Sequence, residues 1–168
     1  MAERAVQLLY QAWADCDLAV RGLKDPEAEA RHAGQNSVAW IVGHLGQQVD
    51  SWFNVRFQGR AANSVLASPL LHTGSVGSAP SWAEVVHATR EARETARMLL
   101  DEVTDADLER VVPYTGGLVY LQATGIQLRY ALLRAAAHHF EHVGEIRTLR
   151  SLMGHRVAEA DVWGMWLL

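Results

Sequence analysis

Apolar side chains recur every three or four residues along four long segments of the chain, and this spacing predicts amphipathic helices. The first predicted helix spans about residues 2–22, and Gly22 and Pro26 favour its termination there. The second begins at Asn36 or Ser37, because either side chain can cap a helix. Its apolar positions are Val38, Ile41, Leu45, Val49, Trp52, Phe53 and Phe57.

The third and fourth predicted helices each begin with a capping residue. Ser81 is followed three positions later by Glu84, which is a capping box, and a helix is predicted over about residues 82–101. Thr124 can cap a fourth helix that extends to residue 152 or 153. Four amphipathic helices with little strand predict an all-α fold, a four-helix bundle.

The connecting segments are rich in glycine, proline and polar residues. Residues 24–35 and 59–80 are predicted to be loops, and the second is long enough to be functional or mobile. Residues 111–120 are predicted to form a small hairpin around Gly116 and Gly117. The two long connections, after the second helix and before the fourth, indicate a bundle that is not simply up-down-up-down.

The length and composition of the chain fit one globular domain over residues 1–168. Its apolar tail, residues 155–168, is predicted to pack on the bundle or against a second subunit. A net charge of −4 gives no electrostatic case for nucleic acid or a membrane surface. No stretch approaches the roughly 18 apolar residues of a membrane span. The single cysteine, Cys16, fits a reducing, cytoplasmic location, and we expect a buried, inert thiol.

Two histidines of the fourth predicted helix are placed to bind one metal ion. His138 and His142 are four residues apart, which puts them on one helix face with Cβ atoms about 5–6 Å apart. His139 lies about 100° further round the helix and cannot face the same ion. His139 also occupies the glutamate position of the zinc motif H-E-x-x-H, so that motif is not met. The inverted order H-x-x-E-H is met through Glu141.

A third ligand is expected from the second helix, where His44 lies in the apolar stripe between Gly43 and Gly46. Two glycines beside a histidine indicate close approach of another helix or of a ligand. Gln48, one turn further along, could support a ligand or act as a weak additional one. Three imidazoles would leave open positions suited to zinc or nickel. The alternative is that the histidines are core residues. His72, in the long loop, is expected to be a solvated residue.

Two stretches of the chain resemble the DinB-like superfamily of metalloenzymes, which includes the YfiT-like proteins. The stretches are Asn36-Ser-Val-Ala-Trp-Ile-Val-Gly-His44-Leu and His138-His-Phe-Glu-His142-Val-Gly-Glu145-Ile. The resemblance spans roughly residues 2–153 and implies a four-helix bundle with up-down-down-up topology, often as a homodimer. It implies one metal ion held by His44, His138 and His142.

Glu145 stands where many members of the superfamily have glutamine, and glutamate there resembles the branch that contains mycothiol-dependent isomerases. The resemblance implies a metal-dependent enzyme that performs thiol-dependent transfer or isomerisation, with a low-molecular-weight thiol, or hydrolysis of a small-molecule substrate. Glu145 is the candidate catalytic residue for proton transfer, and the alternative is a partner of a ligating histidine or a surface charge. A second hypothesis is a non-catalytic metal-binding module for stress response or interaction.

Overall fold

The computed structural model describes residues 1–32, 34–75 and 79–155, and four long helices confirm the all-α prediction. The predicted placement of the tail, residues 155–168, lies outside the described residues except for His155. In chain order the elements are α1 (Ala2–Val20), α2 (Asp25–Glu29), α3 (Val38–Val49) with a π-helical continuation (Asp50–Phe57), a 3-10 turn (Pro69–Leu71), α4 (Trp82–Leu100), a second 3-10 turn (Asp107–Glu109), β1 (Val111–Val112), α5 (Val119–Thr124), β2 (Ile126–Gln127) and α6 (Leu128–Leu152).

Two of the predicted caps begin long helices. Ser37 Oγ accepts a hydrogen bond from the α3 backbone at 3.1 Å. Ser81 and Glu84 form the reciprocal capping box at the start of α4. Residues 24–35 are not wholly a loop, because α2 begins within them with Pro26 in its first turn, where a missing backbone N–H costs nothing.

The direction of each long helix follows from the residues that meet between them. Contacting residue numbers rise together along α3 and α4, so these helices are parallel, whereas the pairs α3–α6 and α1–α4 are antiparallel. The contacts are Val42–Thr89, Asn54–Ala92 and Gln58–Thr95 for α3–α4, Gln48–His138 and Trp52–Tyr130 for α3–α6, and Tyr10–Asp101 and Asp17–Arg93 for α1–α4. The bundle therefore has the up-down-down-up topology, in which α1 and α6 share a direction.

The predicted hairpin at residues 111–120 is wrong. β1 instead pairs antiparallel with β2, with Val112 opposite Ile126, and α5 lies between the two strands. Gly125 separates α5 from β2 with a φ of 76°, and a Cβ at this position would lie 2.7 Å from the Val112 carbonyl oxygen. Thr124 is consequently the last residue of α5, and not the cap of the fourth long helix, whose start follows β2.

One apolar core runs through the four long helices and takes in residues of the loops between them. Cys16 lies in this core with 1% of its surface exposed, and burial raises the pKa of its thiol, as expected for an inert cysteine. Among the residues that the structure describes, no helix is both long and apolar enough to cross a membrane.

The two glycines beside His44 allow other parts of the chain to approach α3 closely. A Cβ on Gly46 would lie 2.4 Å from Thr89 Oγ1 of α4, and a Cβ on Gly43 would lie 2.7 Å from Leu71 Cδ2 of the first 3-10 turn. Of the two predicted reasons for these glycines, the structure therefore supports packing of a helix and a loop. The same close approach brings the backbone of the long loop against His44.

Gly46→Ala should destabilise the fold, because the added methyl group collides with Thr89 in a packed interface. We expect a loss of about 1–3 kcal/mol in the free energy of unfolding, measured by urea denaturation. Gly144→Ala is the matched control, since Gly144 also lies within a long helix but a Cβ there meets nothing within 4 Å. The control should gain about 0.5–1 kcal/mol. Equal stability of the two variants would contradict the packing account.

Candidate metal centre

The bundle brings the three predicted histidines together. His44 comes from α3, and His138 and His142 come from successive turns of α6. Their ring centroids are 5.1 Å apart for His44 and His138, 5.6 Å for His44 and His142, and 4.6 Å for His138 and His142. One nitrogen atom from each ring lies within 4.8 Å of the other two. This spacing is suited to one shared metal ion.

Each of the three rings has its Nδ1 atom occupied by a hydrogen bond to an acceptor. His44 Nδ1–H donates to the carbonyl oxygen of Leu71 at 2.8 Å. His138 Nδ1–H donates to Oε1 of Gln48 at 3.1 Å, and His142 Nδ1–H donates to Oε2 of Glu145 at 2.7 Å. These bonds assign the proton of each neutral ring to Nδ1 and leave Nε2 as a lone-pair donor.

The Nε2 atoms of His138 and His142 are 3.1 Å apart. In the assigned tautomers neither atom carries a proton, so two lone pairs face each other and a cation between them would remove the repulsion. Two imidazole nitrogens that bind one tetrahedral zinc ion at about 2.0–2.1 Å lie about 3.3 Å from each other. The pair is therefore spaced for a shared ion, and the chemistry of the donor set fits zinc or another divalent transition metal.

The surroundings of the site keep two of the rings neutral. Burial, together with the neighbouring His142 and His44 rings, lowers the pKa of His138 to about 3. Burial also lowers the pKa of His44, although the hydrogen bond to the Leu71 carbonyl opposes this effect. Neutral imidazole is the form that binds metal ions, so both rings are ready to do so at neutral pH.

His44 is fixed by aromatic packing as well as by its hydrogen bond. The Trp40 ring stacks on His44 with centroids 4.7 Å apart and an angle of 9° between the rings. The Trp40 indole N–H donates to the Leu70 carbonyl at 2.7 Å and to Ser75 Oγ at 2.8 Å. The long loop thus orients His44 both through Leu71 and through Trp40, one helical turn before the histidine.

His139 and His72 do not belong to the group formed by His44, His138 and His142. His139 is fully buried on another face of α6, where its Nδ1–H donates to the Ala135 carbonyl at 2.8 Å. The prediction that it cannot share an ion with His138 is confirmed. His72 is exposed, as expected, although it lies on the wall of the pocket beside His44. Glu141 of the inverted motif is also exposed, and its nearest cation is Arg134 at 3.9 Å.

A pocket of about 720 Å³ opens beside His44 and His138. Its walls come from α3 and its π-helical continuation, the long loop, the segment before α5, α5 itself and α6. The lining residues are His44, Gln47, Gln48, Ser51, Trp52, Arg56, His72, Thr73, Tyr114, Gly116, Gly117, Leu118, Tyr120, Arg134 and His138. The volume is that of a small-molecule site, and π-helical turns are frequent at such sites.

Several residues of the site were not predicted from the sequence. The Leu71 carbonyl gives no sequence signal, since every residue carries one. The positions of Arg56 and Arg134 could have been inferred from spacing. Arg56 lies four residues after Trp52 and Arg134 lies four residues before His138, so each shares a helix face with a pocket residue. Gln48 was predicted as a supporting residue, and the structure places it in contact with His138.

Three converging imidazoles on an up-down-down-up bundle define this chain as one of the candidate metal-binding four-helix proteins. The sequence model of the DinB superfamily matches residues 8–146, and the chain belongs to that superfamily. None of the curated proteins matches its sequence.

Two solved structures share the fold. One is a conserved protein from Enterococcus faecalis, with a TM-score of 0.68 and 13% identity, covering 92% of this chain and 98% of that chain. The other is YfiT from Bacillus subtilis, described as a probable metal-dependent hydrolase with an unusual four-helix bundle topology. The match to YfiT has a TM-score of 0.60 and 19% sequence identity, and it covers 92% of this chain and 89% of YfiT. At these identities the likeness shows the fold alone.

Glu145→Ala should weaken zinc binding about 10–100-fold, because it removes the acceptor that fixes the tautomer and orientation of His142. Competition with a chromophoric chelator measures this affinity. Glu141→Ala removes a carboxylate from an exposed position on the same helix and should leave the zinc affinity unchanged. An unaltered affinity in the Glu145 variant would show that this carboxylate does not support a ligand.

Proposed function

We propose that the protein is a metal-dependent enzyme, a hydrolase, that holds one zinc or nickel ion through Nε2 of His44, His138 and His142. One observation carries this proposal: the Nδ1 atom of each ring already has an acceptor, and one nitrogen of each ring lies within 4.8 Å of the other two beside a pocket. Histidines that merely fill a core have no reason to share this arrangement. The description of YfiT as a probable metal-dependent hydrolase agrees with it.

The openness of the site favours catalysis over a structural role. Structural zinc sites are closed by four protein ligands, whereas catalytic sites keep a position for water or substrate. Among the described residues, the group that could hold the ion here consists of three histidines. The adjoining pocket offers space for a substrate at the remaining positions. A non-catalytic module would need neither feature.

The residues around the ligands have separate tasks in this proposal. His44, His138 and His142 would hold a divalent ion, which would supply Lewis acidity for polarising a substrate oxygen and activating water. Gln48 and the Leu71 carbonyl hold the rings of His138 and His44 in the ligating orientation. Glu145 acts through His142 as a positioning residue, because its Oε2 accepts the Nδ1 proton at 2.7 Å. Its side chain is 29% exposed, so its charge faces partly into solvent.

The test is metal content by plasma mass spectrometry on untagged protein, followed by assays on ester, amide and lactone panels. We expect about one zinc or nickel ion per chain, and loss of both metal and hydrolysis in His138→Ala and His142→Ala. His87→Ala is the matched control, since His87 is exposed on α4 and should behave as wild type. The panel is run with and without a low-molecular-weight thiol.

Each outcome of these assays has a distinct meaning. Metal-dependent turnover that requires the added thiol would replace hydrolysis by thiol-dependent transfer or isomerisation. A metal-loaded protein that turns over nothing on either panel would support the non-catalytic module. Absence of metal after incubation with zinc and nickel would overturn the proposal altogether.

A further inference from the structure

The charge of the pocket differs in sign from the charge of the whole chain. The chain has a net charge of −4, yet Arg56 and Arg134 both line the pocket, and its lining residues include no aspartate or glutamate among those described. Two cations in a concave site raise the local concentration of anions and favour their binding. The charge available for an anionic ligand depends on whether the two guanidinium groups are already neutralised within the protein.

Arg56 is held in place without a counter-ion. Its Nη1 atom donates to the Ser51 carbonyl at 2.8 Å and also contacts Ser51 Oγ. Its guanidinium lies over the Tyr114 ring, 4.8 Å from the centroid. The Nε atom is buried with no hydrogen-bond partner, and no carboxylate of the described residues lies within ion-pair distance of Arg56. A preorganised, partly buried cation of this kind is suited to an anionic ligand.

Arg134 lies one helical turn before His138, on the same side of α6. Its nearest carboxylate is Glu141 at 3.9 Å, and the two side chains are 42% and 70% exposed. An ion pair so long and so exposed contributes little, so an anion in the pocket can compete for Arg134. Because Arg134 lies next to His138, a group bound by Arg134 lies close to the proposed metal ion.

The rest of the pocket offers aromatic and apolar surface to the body of a ligand. Trp52, Tyr114, Leu118 and Tyr120 line it together with the two arginines. The Tyr120 hydroxyl is 2.5 Å from the hydroxyl of Tyr130, which fixes one side of this wall. A ligand that combines an apolar body with an oxyanion group would satisfy both parts of the pocket.

We propose that the substrate of this protein is a small organic anion whose oxyanion group, a carboxylate or a phosphate, is bound by Arg56 and Arg134 beside the three histidines. This inference rests on the proposed function, because it gives the substrate class of the same site. The two arginines would hold the oxyanion end of the substrate next to the three histidines, and the aromatic wall would enclose its body.

The experiment is titration calorimetry on zinc-loaded protein with three probes that share a phenyl ring: phenylacetate, the neutral phenylacetamide and phenyl phosphate. Wild type should bind at least one anion about tenfold or more tightly than the amide. Arg56→Gln and Arg134→Gln should each remove most of that preference and leave the affinity for the amide unchanged. The probe that wild type prefers distinguishes a carboxylate from a phosphate.

Arg60→Gln is the matched control, because Arg60 is exposed just beyond the π-helical turns and does not line the pocket. It should retain the full preference for the anion. Arg56→Gln removes a packed side chain, so its melting temperature is checked. Arg134→Gln, at a partly exposed position, keeps the test decisive if the first variant does not fold. Zinc content is measured on every variant and should equal that of wild type.

Equal affinity of wild type for the amide and both anions would overturn this inference. A preference that persists in both arginine variants would do the same, since the metal alone would then bind the anion. A protein that binds no zinc but still prefers anions through its arginines would overturn the proposed function and uphold the anion site. Zinc binding without an arginine-dependent preference for anions would overturn the anion site and leave the proposed function intact.

Discussion

The antiparallel contact between α3 and α6 is the constraint on which the rest of the site depends. It places His44 opposite His138 and His142, and it also carries Gln48 to the Nδ1 atom of His138. Glycine makes the arrangement feasible on the other side of α3, where the long loop comes close enough for Leu71 to contact His44 through its carbonyl oxygen. The contacts that pack the bundle therefore also orient the imidazole rings.

Neutral imidazole rings in a partly buried site would carry a cost without a partner for their lone pairs. Two of the rings have lowered pKa values, all three have an acceptor on Nδ1, and one nitrogen of each ring lies within 4.8 Å of the other two. A divalent cation would satisfy all three lone pairs at once. The positive pocket adjoining them extends the same principle to an anionic substrate, whose charge would complement Arg56 and Arg134.

Much of this fold followed from local sequence signals. The four long helices have a 3.6-residue apolar period, and the histidine pair on α6 needs no tertiary information, because four-residue spacing alone places His138 and His142 together. The choice of His44 as their partner was also predicted, partly from the family resemblance. The caps at Ser37 and Ser81 were correct because capping is a local hydrogen bond.

The same reasoning failed where two strands pair across an intervening helix. Val111 and Val112 form a strand, but their partners lie beyond α5, and two glycines at a hairpin-like position gave a misleading signal. Gly125 marks the true junction through its positive φ, which no short pattern revealed. The Leu71 carbonyl was equally hidden, since its role depends on where a long loop returns to the bundle.

X-ray absorption spectroscopy of the metal-loaded protein tests the central claim most directly, because it identifies the atoms bound to the ion. The account predicts three imidazole nitrogens at about 2.0–2.1 Å, with the remaining positions filled by oxygen from solvent. A shell of sulfur at about 2.3 Å, or fewer than three imidazoles, would contradict the assignment of His44, His138 and His142 to one open metal site.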